Sequence, residues 1–375
     1  DIVVKNPGIH RTHPCVQKAL ELKIPVINEV ELAYYFLPKD ITIIGVTGSN
    51  GKTTTVTILY NILKESGLSV HLGGNIGYPV SSLVEKVKPG DILVLEISDH
   101  QLHDMYEFKT DISILTNLSP VHLDFNGTYE NYKEIKKRIF NHHTKCDIAI
   151  LNQDNYDVVK LTNDIPSNKI YFSSLETSDI CIKENAIYYY NEKIVDLDQV
   201  RVKGNHNYEN IMCAIAAAKE LDVSNDAIKT VLHDFSGVEH RMEYVRRING
   251  REFYNDSKST NNQSTIIALS SFNKPVILIL GGLDRGQSFD ELKDSMTYVK
   301  HVVCYGQTKE KINEFCLKNE IDCVVLDDLE SAVKVAYNLS EEENVILFSP
   351  ACASQDQFKS FEERGKLYKQ YVENL

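Results

Sequence analysis

"GVTGSNGKTTT", residues 45–55, decides how this chain is read. It follows the apolar run Ile41-Thr42-Ile43-Ile44 and precedes a helical pattern from Val56 to Leu63, so it sits where a strand turns into a helix. Glycines at such a junction let successive backbone N–H groups point into one concavity, and the helix N-terminus already favours an anion. Lys52 adds a mobile positive charge, and the hydroxyl of Thr53 after it suits a Mg²⁺ ion bound to phosphates. Gly48, Ser49, Asn50, Gly51 and Thr54 complete the set expected to wrap the phosphates of a nucleotide. The spacing is a variant of the usual phosphate loop: the position five residues before Gly51 is Val46, with Gly45 one place too early and Gly48 inside the loop.

At 375 residues the chain exceeds one ordinary core and divides into two or three domains. A hydrophobic content of 42% and a charged content of 25% are those of a soluble globular protein. The net charge of −13 argues against a nucleic-acid or anionic-membrane partner, either of which requires a basic stripe. The eight cysteines form no C-x-x-C pair and mostly lie in apolar runs, which reads as buried thiols of a reducing compartment. With no apolar stretch of membrane-spanning length and no secretory leader, the expected location is the cytoplasm.

From residue 39 short β-rich runs alternate with amphipathic helices, the pattern of a largely parallel sheet covered on both faces. "DILVLEIS" (91–98), "DISILTNLS" (111–119) and "CDIAILN" (146–152) read as buried strands ending in polar residues. Ligands collect at the carboxyl ends of such strands, so Glu96, Ser98, Asn117, His122 and Asn152 are expected near the loop. Between about 170 and 203 the texture suggests antiparallel hairpins, and 207–221 places Ile211, Ala214, Ile215, Ala218 and Leu221 on one helical face. A boundary near 237 opens a second α/β unit that begins with a hairpin at Asn249-Gly250.

Glu96 ends an apolar run, where desolvation of an acid is costly unless a metal or a partner offsets it. Beside a phosphate loop it is the expected Mg²⁺ ligand. By periodicity alone His122 is a strand-end histidine, and Lys136 and Lys137 belong to a solvated helical face. In the second unit His240, Arg241, Asp256, Lys258, Thr260, Arg285 and Ser354 stand at strand ends and turns from which they could clamp anions.

Taken in order, "TGSNGKTT", "GGNIG" (73–77), "HNYEN" (206–210), "GVEHRMEYV" (237–245), "NDSKSTN" (255–261), "GGLDRG" (281–286) and "SPACASQDQF" (349–358) resemble the Mur ligases, most closely the branch that adds D-glutamate. The resemblance runs the length of the chain. It implies an α/β architecture: residues 1–38 as a remnant of an N-terminal dinucleotide-like UDP-binding domain, 39–236 as a central ATPase, and 237–375 as a C-terminal dinucleotide-like domain that holds the amino acid. It also implies a reaction: ATP phosphorylates the alanine carboxylate of UDP-N-acetylmuramoyl-L-alanine, the amine of D-glutamate attacks the acyl phosphate, and a tetrahedral intermediate expels phosphate. ATP and Mg²⁺ are the implied cofactors and a monomer the implied state.

Residue by residue, the resemblance assigns Lys52 and Thr53 to the phosphates and the first Mg²⁺, with Glu96 as a further ligand of that ion. His122 matches a ligand of a second Mg²⁺, and Lys136, not Lys137, matches a lysine that the family carbamylates into an oxygen donor. Asn75 matches a residue near the acyl phosphate, and Asn207 and Asn210 match residues on the adenine side. Arg241 and Asp256, with His240 beside them, match groups that reach toward ATP. Lys258, Thr260, Arg285, Ser354 and Phe361 match the surroundings of D-glutamate, where hydroxyls and cations suit two carboxylates.

Two departures stand out. Where the family shows "LELSSFQL" this chain has "LEISDHQL", so Asp99 and His100 replace a serine and an aromatic. The family also carries a glycine-rich strand-helix unit ahead of the stretch matching "DIVVKNPGI", so this chain is expected to bind ATP but to hold its UDP substrate poorly. The competing readings are a nucleotide-binding Mur-like protein without ligase activity, truncated or degenerate, and another Mur or folylpolyglutamate ligase; "SPACASQDQF" and "NDSKSTN" argue against the latter.

Overall fold

The strand Thr42–Thr47 feeds the phosphate loop and lies inside a nine-stranded sheet. The computed structural model describes residues 1–375, apart from the side chains of Leu123, Asp124 and Gln263. From one edge, the order of this sheet is 192–196, 186–189, 180–183, 168–173, 148–152, 112–115, 42–47, 92–96 and 70–74. The strands from 70–74 to 180–183 pair in parallel, and only the last two additions are antiparallel. The segment 168–173 therefore pairs in parallel with both neighbours, which corrects the expectation of hairpins from 170 onward: residues 174–179 cross over before Ile180 instead of turning back. The true hairpins begin at Ile180.

Ile44, Val46, Leu93, Val94, Leu95 and Ile114 are fully buried, as both faces of the sheet are covered. The register sets Val46 beside Glu96, Gly74 beside Glu96, and Thr47 beside Leu115, so the carboxyl ends of four strands meet at one place. The helix Asn205–Lys219 buries every residue from Asn210 to Ala218, not one face as its periodicity suggested; Leu221 lies beyond its end. A run of alanines lets neighbours approach from all sides.

The chain divides into two compact units, Asp1–Phe235 and Ser236–Leu375. Within the first, residues 1–38 form a parallel strand pair, 3–5 with 26–28, and two helices tied to the segment 101–108. Buried Asp104 meets Lys5 at 2.7 Å and Arg11 at 2.8 Å, and the carboxylate of Glu31 accepts from the backbone of Glu107 at 2.8 Å and of Phe108 at 3.1 Å. In the second unit a six-stranded sheet runs 243–248, 251–255, 345–348, 276–281, 299–305 and 322–325. Its first pair is the antiparallel hairpin, whose turn residues Asn249 (φ 46°) and Gly250 (φ 81°) both take the positive φ of a primed turn. All eight cysteines are free thiols, but Cys15 and Cys146 are exposed, so the reading of the cysteines as buried holds only for residues such as Cys181, Cys213, Cys304, Cys316 and Cys352.

Candidate active site

The phosphate loop is shaped by two glycines. Gly48 has φ 144°, and a Cβ there would stand 2.0 Å from Thr116 Oγ1; Gly51 has φ 83°, and its Cβ would stand 2.1 Å from Asn210 Oδ1. Neither position can carry a side chain. The backbone of Ser49 donates to Asn117 O and that of Asn50 to Asn117 Oδ1, both at 2.9 Å, so the strand end at 117 holds the loop open. Gly51 caps the helix Lys52–Glu65, and Lys52 Nζ turns back to the carbonyls of Gly48 at 2.6 Å and Ser49 at 3.0 Å. Thr54 follows in the first turn and is partly buried.

Glu96 is 2% exposed. Thr53 Oγ1 donates to one of its oxygens and Asn75 Nδ2 to the other, both at 2.7 Å. Two oxygens from residues 43 positions apart thus face each other beside the lysine, a donor set suited to a hard dication. Asn210 accepts from Thr55 Oγ1 at 3.4 Å, directly behind the loop, whereas Asn207, one turn earlier on the same helix, donates to Lys203 O at 2.9 Å. Ser98 spends its hydroxyl on a reciprocal cap with Gln101 at the start of the short helix Asp99–Leu102.

Lys136 is wholly buried, with Nζ 3.0 Å from Thr47 Oγ1 and 3.8 Å from Asp99 Oδ1. Burial first, and then the charge of Lys52, bring its pKa down to about 7, against the pull of Asp99 and Glu96. This corrects its reading from periodicity as part of a solvated face. Lys137 does lie at the surface, paired with Asp164 at 2.7 Å. His122, at φ 52°, places Nδ1 3.1 Å from Asp99 Oδ1. Burial would raise the Asp99 carboxyl, but hydrogen bonds with His100 and His122, the charge of Lys136 and the amide of Asn126 hold it well below the ordinary carboxylate range.

In the second unit Asp256 is 2% exposed and accepts from Ser259 Oγ at 2.5 Å, Ser349 Oγ at 2.7 Å and the backbone of Met242 at 3.1 Å. Burial outweighs those donors and the nearby Arg241, and pushes it up to about 6. His240 is buried at φ 64°, its Nδ1 2.9 Å from Asn255 Nδ2, and burial lowers its pKa. Lys258 donates its backbone N–H to His240 O at 2.9 Å and sets its ammonium 6.0 Å from the Phe361 ring, so these two predicted residues come together. Thr260 is half-buried, Ser354 is buried, and Arg285 stands exposed on the loop after Gly282. A residue that sequence reasoning missed ties this region together. Arg364 is fully buried and donates to Ser257 Oγ at 3.0 Å, Ser257 O at 2.8 Å and Ala353 O at 3.2 Å. Its position on the helix Phe361–Glu373, amid exposed glutamates and lysines, carried no signal.

The family model described as the Mur ligase middle domain matches residues 46–218, and that described as the Mur ligase, glutamate ligase domain matches 240–352. The chain belongs to the Mur ligase family. The UDP-N-acetylmuramoylalanine--D-glutamate ligase of Geobacillus kaustophilus is 45% identical over all of this chain and 84% of its own length. The enzyme of that name from Bacillus subtilis is 45% identical, over 98% of this chain and 82% of its own. Among solved structures, a MurF ligase from Thermotoga maritima in complex with ADP superposes with a TM-score of 0.66 at 21% identity, covering all of this chain and 98% of the other. At that identity the likeness establishes the Mur ligase fold. Among the described residues no helix is long and apolar enough to cross a membrane.

Proposed function

We propose that this Mur ligase uses ATP to join D-glutamate to UDP-N-acetylmuramoyl-L-alanine in the cytoplasmic synthesis of peptidoglycan precursors. The observation that carries the reading is the identity of 43–45% with D-glutamate ligases across the whole chain, with the loop, Glu96, His122 and Lys136 in the order those motifs require. In this reading residues 1–38 belong to the UDP-binding domain, 39–236 bind ATP and 237–375 bind the amino acid, and the protein works as a monomer.

The residues present fit a Mg²⁺ ion beside the phosphates, since Thr53 Oγ1 and Glu96 offer oxygen donors already 2.7 Å apart. Such an ion supplies charge neutralisation between the phosphate being transferred and its leaving group. Lys52 and the backbone amides at the helix start, from Gly51 to Thr54, bind and orient the phosphates, with Ser49 and Asn50 shaping the loop through Asn117, while Asn75, fixed by Glu96, is placed to hold the acyl phosphate. Asn207 and Asn210 face the adenine side. Lys136 fits carbamylation, because a buried amine brought down to about 7 is neutral enough to combine with CO₂; its carbamate and His122 would then serve a second ion. Lys258, Thr260, Arg285, Ser354 and Phe361 hold D-glutamate, whose two carboxylates suit their hydroxyls and cations.

The test is phosphate release from ATP with UDP-N-acetylmuramoyl-L-alanine and a panel of amino acids. Release with D-glutamate alone is the expected result. Release with L-lysine, diaminopimelate or L-glutamate in its place would overturn the assignment.

A further inference from the structure

Asp99 and His100 depart from the family's pattern, and the structure gives both a place. Asp99 follows the strand Ile92–Glu96 and is 1% exposed. Its Oδ1 lies 3.1 Å from His122 Nδ1, and its Oδ2 lies 3.3 Å from His100 Nδ1. One ligand atom from each of the three residues falls within 4.8 Å of the other two. We propose that Asp99, His100 and His122 form a binding site for a first-row transition-metal dication, of the class of Mn²⁺, Co²⁺ or Zn²⁺.

The spacing fits such an ion. Neighbouring donors on a metal with bonds of about 2.0–2.2 Å stand roughly 3 Å apart; each imidazole Nδ1 lies 3.1 or 3.3 Å from an oxygen of Asp99, and one donor atom from each residue lies within 4.8 Å of the other two. The donor set selects the class: two imidazoles and one carboxylate suit first-row transition metals, whereas Mg²⁺ prefers a site in which oxygen donors predominate. A serine and an aromatic at 99 and 100 would leave His122 without either companion, so the preference belongs to this chain.

The ligands are also supported from behind. Asn126 Nδ2 donates to Asp99 Oδ2 at 2.8 Å and to His122 O at 3.0 Å, and its own Oδ1 lies 2.9 Å from His103 Nε2. The His100 ring packs on Phe125 with centroids 3.9 Å apart. Contacts of this kind fix the orientation of metal-binding side chains. Lys136 Nζ, 3.8 Å from Asp99 Oδ1, supplies the counter-charge to this buried carboxylate in the ion-free protein.

The site deepens the ligase reading, with which it shares His122, but it is tested without ATP or amino acid, so the two fail separately. The nucleotide-free full chain is titrated with Co²⁺, following visible d–d absorption and the stoichiometry by calorimetry. The expected result is one Co²⁺ per chain with a d–d band that Zn²⁺ displaces at stoichiometric amounts and that excess Mg²⁺ leaves in place. The H100F variant and the D99S/H100F double variant should each weaken Co²⁺ binding about tenfold or more, with far-UV circular dichroism and thermal midpoint confirming the fold. Absence of the band, displacement by Mg²⁺ at concentrations comparable to Co²⁺, or unchanged affinity in folded H100F would each overturn the proposal.

Discussion

Glu96 shows how much one side chain is asked to do. Its two oxygens accept from Thr53 and Asn75 at 2.7 Å, so a glutamine there must turn an amide N–H₂ toward one of two donors. Glu96→Gln is expected to lower ATP-dependent phosphate release about a hundredfold or more, the scale on which oriented electrostatic groups act; an unchanged rate would remove Glu96 from the site. Asp256 makes a prediction about pH. Its folded pKa of about 6 stands above the unfolded 3.8, so the folded state holds the extra proton between those values. The stability it contributes is therefore present below about 4 and lost as pH rises through about 6, on the order of 3 kcal/mol in all. Urea unfolding of Asp256→Asn across pH 4 to 7 should show that decline flattened relative to the parent chain.

At the scale of elements, the turn from strand to helix depends on Gly51. Alanine there meets both a positive φ and the Asn210 amide 2.1 Å from the new Cβ. Gly51→Ala should weaken binding of a fluorescent ATP analogue about tenfold or more, since either strain alone is worth about 1 kcal/mol. The helix Phe361–Glu373 makes the corresponding case in the second unit. Arg364→Met leaves the buried carbonyls of Ser257 and Ala353 short of donors, at about 1–3 kcal/mol each. A urea midpoint within error of the parent would show that this guanidinium does not hold the two loops. Element positions were the most legible part of the chain: the parallel strands announced themselves as apolar runs ending in polar residues. The helix Asn205–Lys219 was read as one-faced because periodicity reports contrast between faces, and a helix buried all round has none.

For the molecule as a whole, the two units meet in sequence at Phe235 and Ser236, where the chain is irregular and Ser236 and Glu239 are exposed. Limited proteolysis with a glutamate-specific protease should cut first after Glu239, giving two fragments identifiable by mass spectrometry; a first cut inside either sheet would contradict that division. The sequence by itself determined the α/β class, the phosphate loop, Glu96 at its strand end and membership of the Mur ligases, since each rests on short-range order: hydrophobic period, turn chemistry or contiguous motif. Only the tertiary structure decided that Lys136 is buried, that Asp99 lies between His100, His122 and Lys136 with Asn126 behind it, that Asn210 closes on Gly51, and that Arg364 joins two loops. Those facts depend on which distant segments the parallel register brings to one end of a sheet, and the energy of burying a charge is set by those neighbours and not by the residue that carries it.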